Sequence, residues 1–140
     1  MDSVMTPMPP VPHPTLLSQP FWDGCRNGVL RLQRCDACGR LRFYPAESCP
    51  NCGTIGGIWV DTSGRGTLYS WIVVHKNPDR YWRTQIPYIS GVVELGDQAR
   101  LYMPALITGV VADRVAAGMA LQAWFDDVGD GHVLPRWYPT

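Results

Sequence analysis

Four of the five cysteines form two closely spaced pairs, and their spacing is the strongest chemical signal in the sequence. Each pair is a Cys-x-x-Cys turn followed directly by glycine, and ten residues separate the two pairs. Such a turn points two thiolates at one place while backbone amides donate to the sulfurs, and the glycine permits the left-handed conformation that closes it. Two of these turns predict a tetrahedral site with four sulfur ligands: Cys35, Cys38, Cys49 and Cys52.

The metal held by four thiolates is expected to be structural, because four protein ligands leave no open position on the ion. Sulfur ligation selects Zn²⁺ or iron over hard cations, and we favour one structural zinc per chain, with iron as the alternative. Two disulfides or a redox Cys-x-x-Cys are the other interpretations, but a redox motif does not need a second identical turn. Cys25 lies outside the spacing and is interpreted as a small buried residue.

The remaining reactive side chains form no persuasive catalytic set. His75 ends a strand-like run, where a hydrogen-bonding role is expected, and Cys25 has no base beside it in the sequence. The glycines of residues 64–67 resemble a phosphate loop superficially, but they precede a strand and lack the Gly-Lys-Ser/Thr ending. We interpret them as a β-bulge or tight turn, and we predict no catalytic residue.

Cations and aromatic rings are interleaved between residues 76 and 88. This mixture is typical of protein interfaces, where Arg, Tyr and Trp are enriched, and it also suits the adenine and phosphates of CoA. We favour an interface, with CoA contact and an ordinary surface loop as alternatives. Six Trp and six Tyr are more than a small barrel readily buries, so further surface aromatics are expected. The candidates for CoA binding or partner contact are Lys76, Arg80, Tyr81, Trp82, Arg83, Trp22 and Trp137.

The charges cancel over the whole chain, since 12 Lys and Arg oppose 12 Asp and Glu. Residues 26–42 nevertheless contain five arginines and only Asp36 as an acid, which predicts a cationic surface on the metal-binding part. Binding to nucleic acid needs a basic excess, so the neutral sum argues against it. A single-stranded nucleic-acid-binding protein is kept only as an alternative, because small barrels and zinc ribbons also serve that function.

The elements that position these residues are short, because 14 glycines and 13 prolines favour turns and strands over long helices. We predict a flexible proline-rich arm over 1–14 and one helix over 15–28, with Ser18 as N-cap and Gly28 as C-cap. A zinc-binding segment is expected over 29–62. Five or six strands over 63–140 predict a Greek-key barrel of the OB type.

The chain shows no run near the ~18 apolar residues that a membrane helix needs, and its N-terminus lacks the basic start and apolar run of a signal peptide. We therefore expect a cytoplasmic protein with no membrane partner. An odd number of cysteines in a reducing compartment also favours metal ligands over disulfides.

Five segments in a particular order resemble the domain-of-unknown-function-thirty-five family. They are PFWDGCRNGVLRLQRCDACGRLRFYPAESCPNCG, GRGTLYSWIVVH, PYISGVVEL, AAGMALQAWF and HVLPRWYP, which together cover roughly residues 18–139. The resemblance implies an N-terminal helix, a rubredoxin-like zinc ribbon and a C-terminal OB-fold barrel. Members of this family look like partner subunits of thiolase-like enzymes, including lipid-transfer-protein-type thiolases and aldolases, and some accompany hot-dog-fold hydratases.

By this resemblance, the chain is a non-catalytic accessory subunit whose barrel lies against the active-site entrance of a partner and helps to receive acyl-CoA. The favoured partner is a thiolase-like enzyme, either a lipid-transfer-protein-type thiolase or an aldolase, that acts on the acyl-CoA of a degraded steroid or aromatic side chain. This would place the complex in lipid metabolism. The alternative partner is a hot-dog-fold enoyl-CoA hydratase. A free-standing CoA-ester enzyme ranks last for want of a catalytic set.

Overall fold

The chain is arranged as one helix, a small sheet and a closed barrel, in that order along the sequence. The structure is a computed structural model and describes residues 8–140. Its elements are α1 (Gln19–Arg26), β1 (Arg31–Arg34), β2 (Leu41–Arg42), β3 (Ile58–Asp61), β4 (Arg65–Val74), β5 (Tyr88–Leu95), β6 (Tyr102–Ile107), β7 (Ala120–Gly129) and β8 (His132–Pro139), with 3₁₀ turns at Trp82–Thr84 and Ala112–Arg114.

The first three strands form an antiparallel sheet in the order β2-β1-β3, and the other five close a barrel in the order β4-β5-β6-β8-β7. We call the first sheet and its two cysteine turns the ribbon. Together with the short helix, this arrangement confirms the predicted fold class: mainly β, with a ribbon and an OB-type barrel.

Helix α1 is shorter than the predicted helical segment and ends in a well-defined cap. Gly28 has a φ of +74°, and the Gly28 amide donates to the Cys25 carbonyl at 3.1 Å while the Val29 amide donates to Gly24 at 2.9 Å. These two bonds are those of a Schellman motif, in which a glycine adopts the left-handed conformation. Phe21 and Cys25 lie one turn apart and are buried, so the apolar face of α1 packs on β1 and β8.

The barrel closes because β4 is long enough to pair on both sides. It runs antiparallel to β5 along most of its length, and its first three residues pair with β7. A register shift between Leu68 and Ser70 bends β4 between these two partners. The barrel is closed by parallel pairing between β6 and β8 at Ile107 and Trp137.

The glycines of residues 64–67 form the passage from the ribbon to the barrel. Gly64 turns the chain with a φ of +70°, and Gly66 lies inside β4. A Cβ on Gly66 would lie 2.5 Å from the Glu94 carbonyl oxygen and 2.6 Å from a Val93 methyl, so only glycine allows β4 to approach β5 this closely. The predicted turn is therefore present, and the bulge follows it at residues 68–70.

Trp137 lies in the centre of the barrel core, and the prediction that it is a surface aromatic is wrong. Its side chain is completely buried, among Val93, Leu68 and Leu121 in the same apolar cluster. The physical reason is that Trp137 points inward from β8 opposite the small residue Ala123, which leaves room for the indole. Its Nε1 has no hydrogen-bond partner among residues 8–140.

The ribbon is attached to the barrel by the loop between β5 and β6. The Gln98 side chain accepts a hydrogen bond from the Leu41 amide at 2.8 Å and donates to the Leu41 carbonyl at 3.0 Å, as a neighbouring strand would. The Asp97 carboxylate accepts from the Ser63 amide and hydroxyl at 3.0 and 2.6 Å. These contacts hold the ribbon against the barrel at β2, near the cysteines, and at the segment that follows β3.

The predicted proline-rich arm is described only from residue 8 onward, and residues 1–7 lie outside the described part of the chain. Residues 8–14 have no regular structure, but Pro9 is buried. Pro12 and Pro14 line a small cavity together with Trp22 and His132. This part of the arm therefore lies against α1 and the turn between β7 and β8.

Candidate metal centre and interface segment

The two cysteine turns have the same local structure, which explains why they can face one another. The first turn lies between β1 and β2, and the second lies between β2 and β3. In each turn the amide of the following glycine donates to the carbonyl of the first cysteine, at 3.1 Å for Gly39 and 2.8 Å for Gly53. Both glycines have φ values near +80°, as the sequence predicts: +77° and +79°.

The structure brings the four cysteine sulfurs together at one end of the ribbon. The Sγ atoms of Cys35, Cys38, Cys49 and Cys52 all lie within 4.8 Å of one another. The Sγ atoms of Cys35 and Cys52 are 3.5 Å apart, and those of Cys38 and Cys49 are 3.6 Å apart. Metal–sulfur bonds of ~2.3 Å in a tetrahedron require sulfurs about 3.8 Å apart, so the geometry fits one ion with four sulfur ligands.

Hydrogen bonds prepare these sulfurs to bind as thiolates. The amides of Ala37 and Asn51 lie 3.4 Å from the Sγ atoms of Cys35 and Cys49, respectively. The Thr54 hydroxyl lies 3.3 Å from Cys52 Sγ, and hydrogen bonds with the side chain and backbone of Thr54, together with the Cys35 sulfur, lower the pKa of the Cys52 thiol to about 6. Since the thiolate is the form that ligates metal, these contacts favour metal binding at neutral pH.

Arg42 organises the ribbon from inside, although sequence reasoning had counted it as a surface cation. It is 3% exposed. Its Nη2 donates to the carbonyls of Ala46 and Gly56 at 2.8 and 2.9 Å, and its Nε donates to the Gln33 side-chain oxygen at 3.1 Å. The guanidinium therefore ties β2 to the segment that carries the second cysteine turn.

The prediction of a cationic ribbon surface needs correction for the same reason. Besides the buried Arg42, Arg31 is paired with Asp61 at 2.9 Å and Arg26 is paired with Asp23. Both acids come from outside residues 26–42: Asp61 is brought to Arg31 by the pairing of β1 and β3, and Asp23 lies one turn before Arg26 in α1. Three of the five positive charges are therefore buried or neutralised.

The segment between β4 and β5, residues 75–87, carries most of the predicted interface candidates, and we call it the β4–β5 loop. Lys76, Arg80 and Arg83 are exposed, while Tyr81 and Trp82 are half-buried. The Trp82 ring contacts Tyr81 edge to face and Tyr88 at a tilt of 36°, with centroid distances of 5.0 and 4.7 Å, respectively.

Internal hydrogen bonds give the β4–β5 loop a defined shape. The Asp79 carboxylate accepts from the amides of Tyr81 and Trp82 at 3.0 and 3.2 Å. Asn77 accepts from the Asp79 amide at 3.0 Å and donates from its side chain to the Tyr88 hydroxyl at 2.9 Å. The position of Asp79 two and three residues before those amides is typical of a local turn cap.

Trp22 and the reactive candidates lie elsewhere in the fold. Trp22 is half-buried beside the proline arm and contacts Phe21 edge to face at 4.8 Å. Cys25 is 1% exposed, and burial raises the pKa of its thiol to about 12, so it stays neutral and unreactive. His75 is exposed after the last residue of β4.

Two depressions adjoin the β4–β5 loop at Tyr88. One is an apolar pocket of about 310 Å³ at the end of the barrel, bounded by Val73, Pro87, Ile107 and Val111 among others. The other is an open groove of about 410 Å³ on the outer face of β5, β6 and β8, and its wall includes Trp82 and Arg136. We call the second depression the Arg136 groove.

Models of known protein families match both the ribbon and the barrel. Residues 22–54 match the model of the ChsH2 rubredoxin-like zinc ribbon domain, and residues 59–126 match the model of the ChsH2 C-terminal OB-fold domain. A DUF35 domain-containing scaffold protein of Methanocaldococcus jannaschii is 33% identical over 122 residues, which cover 81% of this chain and 79% of that protein. The chain belongs to the DUF35 family.

Solved structures agree with membership of the DUF35 family. The fold matches a chain of an Ltp2-ChsH2(DUF35) aldolase with a TM-score of 0.81 and 27% identity, covering 91% of this chain and 98% of that one. A DUF35 protein from Sulfolobus solfataricus shares the fold, with a TM-score of 0.58 at 14% identity. The resemblance stated from the sequence motifs is thereby confirmed.

Two further relatives contain a DUF35-like region within longer proteins. A 3-oxo-4,17-pregnadiene-20-carboxyl-CoA hydratase alpha subunit of Mycobacterium tuberculosis is 37% identical over 85% of this chain. A probable enoyl-CoA hydratase alpha subunit of Thermomonospora curvata is 34% identical over 86% of this chain. The chain spans only 36% and 37% of their respective lengths.

The DUF35 fold seen in residues 8–140 includes no helix that is both long and apolar enough to cross a membrane.

Proposed function

We propose that this chain is a non-catalytic accessory subunit that docks on a thiolase-like partner and helps it to receive an acyl-CoA. The observation that carries this proposal is the match, over nearly the whole of both chains, to the DUF35 component of an aldolase complex. The partner supplies the reacting groups, and the barrel contributes surface and shape at the entrance to its active site.

The metal in this proposal is Zn²⁺, one ion per chain. Four thiolates saturate a tetrahedral ion, and Zn²⁺ is the common occupant of such sites. A saturated zinc has no position for water or substrate, so its contribution is to hold the ribbon folded. The complex is assigned to the cytoplasm, where reducing conditions keep the thiols available to the metal.

The β4–β5 loop is our candidate for the contact with the partner and with CoA. Its exposed cations, Lys76, Arg80 and Arg83, suit the phosphates of CoA, while the Tyr81–Trp82 pair offers aromatic area of the kind found at interface centres. The internal hydrogen bonds of the loop reduce the entropy lost on binding, because the loop is already ordered.

Replacing Tyr81 and Trp82 together by alanine is expected to weaken retention of the partner at least about tenfold, as loss of an aromatic anchor does. Co-purification and titration calorimetry with the thiolase-like subunit measure the loss. Tyr44→Ala is the matched control, since Tyr44 is an exposed aromatic on the ribbon. Equal retention of the double variant and the wild type would remove the β4–β5 loop from the interface.

The substrate class that we propose is the CoA ester of a partly degraded steroid or aromatic side chain. The relative from M. tuberculosis is named for a pregnadiene-carboxyl-CoA, and the structural match is to an aldolase. The first name gives a CoA ester of a steroid, and the second gives carbon–carbon bond chemistry.

A hydratase partner is the second candidate, because two relatives are named as hydratase alpha subunits. Co-expression distinguishes the two partners. The chain is produced once with a thiolase-like subunit and once with a hot-dog-fold hydratase subunit from its genomic neighbourhood, and the favoured proposal expects a stable complex only with the first. A complex formed only with the hydratase subunit would mean that this chain is an accessory subunit of a hydratase.

A further inference from the structure

Arg136 is a buried arginine whose hydrogen-bonding capacity is largely unused within the chain. It lies on β8, is 7% exposed and forms part of the wall of the Arg136 groove. We infer that this groove receives a carboxylate side chain of the partner subunit and that Arg136 recognises it, an assignment that rests on the proposed function because it presupposes that partner.

The internal contacts of Arg136 are weak. Its Nε lies 3.4 Å from an Asp126 carboxylate oxygen, a long distance for a charge-assisted hydrogen bond. Its Nη2 is buried and has no hydrogen-bond partner among residues 8–140. A buried guanidinium costs stability unless acceptors surround it, so the isolated chain carries an unfavourable group at this point.

Arg42 shows how the same side chain is satisfied when its role is internal. Arg42 is also buried, and although its Nη1 lacks a partner, its Nε and Nη2 donate three hydrogen bonds of 2.8–3.1 Å. Arg42 makes three short hydrogen bonds, whereas Arg136 makes one long contact. This difference indicates that Arg136 serves more than the folding of this chain. A hydrogen-bond acceptor on the partner subunit would satisfy the remaining donors of Arg136.

The walls of the groove suit a peptide segment better than a free anion. Beside the guanidinium they consist of apolar side chains of β6 and β8 and the contacting rings of Trp82 and Tyr88. These surfaces would contact the aliphatic part of a Glu or Asp side chain and the residues beside it. An inorganic anion has no such apolar groups. Arginine and tryptophan together are also the residue types most enriched at interface hot spots. The apolar wall residues are Pro104, Leu106 and Pro135.

The loop beside the groove carries the sign of charge that an acidic segment requires, and one acid, Asp126, lies beside Arg136 itself at 3.4 Å. The β4–β5 loop, whose Trp82 lines the groove, carries Lys76, Arg80 and Arg83 against the single acid Asp79. A carboxylate approaching Arg136 therefore passes a positively charged segment, which favours encounter and excludes basic partners.

The first test compares Arg136→Met with Arg42→Met in the full, metal-loaded chain by scanning calorimetry. Replacing Arg136 by methionine is expected to change the Tm by less than about 3 °C, because it removes a poorly satisfied buried charge and only one long contact to the partly exposed Asp126. Arg42→Met is expected to lower the Tm, since three hydrogen bonds are lost. A fall in Tm for Arg136→Met like that for Arg42→Met would overturn the inference.

The second test measures the Kd of the thiolase-like subunit for the wild type and for Arg136→Met. The expected result is a loss of affinity of at least about tenfold for this variant, although its own stability is little changed. Equal affinities would overturn the inference while leaving the proposed function intact. Failure of the wild type to bind would overturn the proposed function, and the calorimetric comparison would still decide whether Arg136 lacks an internal acceptor.

Two small anions distinguish a partner carboxylate from a free anion. Sodium phosphate and sodium acetate are added separately to the isolated wild type and to Arg136→Met, with sodium chloride at equal ionic strength as the reference. We expect neither anion to raise the Tm of the wild type specifically. A rise with phosphate that Arg136→Met abolishes would make the groove a small-anion site and contradict its assignment to the partner.

Discussion

Removal of the metal is expected to unfold the ribbon, residues 29–60, while the barrel partly survives. The ribbon contains strands of four, two and four residues, a sheet too small to be stable by apolar burial alone. Structural zinc in small domains contributes about 10–16 kcal/mol of folding free energy at neutral pH. The cysteine ligands lie outside the barrel, whose buried residues, among them Val93 and Trp137, form most of an apolar cluster that also includes Leu32 of β1.

Hydrogen exchange measured by mass spectrometry, before and after chelation, tests this expectation segment by segment. Amides of 29–60 should lose protection, while those of β4, β5 and β7 keep most of theirs. Cys49→Ser should give the same pattern without a chelator, because it removes one ligand. Cys25→Ala is the control, since Cys25 lies outside the ligand set and should leave the metal content at one ion per chain. Full protection of the ribbon after loss of the metal, or no stoichiometric metal in the purified chain, would contradict this account.

The substitution Trp137→Ala is expected to destabilise the barrel by about 3–5 kcal/mol. Trp137 is completely buried and contacts the core from β8, where it also pairs with Ile107 at the closure of the barrel. Its removal leaves a large cavity where β6, β7 and β8 meet, and the surrounding strands cannot collapse into that cavity without breaking their pairing.

Guanidinium denaturation at equilibrium measures this loss. Tyr138→Ala is the matched control, because Tyr138 is the next residue of β8 and is 40% exposed; we expect it to change the stability by less than about 1 kcal/mol. Trp82→Ala should also change stability little while affecting the complex. A Trp137→Ala variant as stable as Tyr138→Ala would place the indole at the surface after all.

The metal site could be predicted from sequence because its determinants are local. A Cys-x-x-Cys-Gly turn specifies its own backbone conformation within five residues, and Gly39 and Gly53 adopt the positive φ that the pattern requires. The strands were also predictable where apolar and polar residues alternate, as in β5, whose buried and half-buried residues alternate strictly. Helix α1 was predictable from the proline at its start and the glycine at its end.

The burial of Arg42, Arg136 and Trp137 could not be predicted in the same way, because it depends on contacts between distant segments. Arg42 is satisfied by carbonyls of the segment after β2. In β8, three of four successive residues are buried: Leu134, Arg136 and Trp137. Strict alternation therefore fails in β8, which also contacts α1, and an expectation of surface exposure drawn from composition is wrong there.

The central claim is that this chain lends structure to an enzyme without performing the reaction. The most direct measurement is turnover of an acyl-CoA by three preparations at equal concentration: the purified chain alone, the thiolase-like subunit alone and the two co-expressed. The account predicts no thioester conversion by the chain alone, little soluble or active partner without it, and full activity for the complex. Sustained conversion of the acyl-CoA by the purified chain alone would contradict the account.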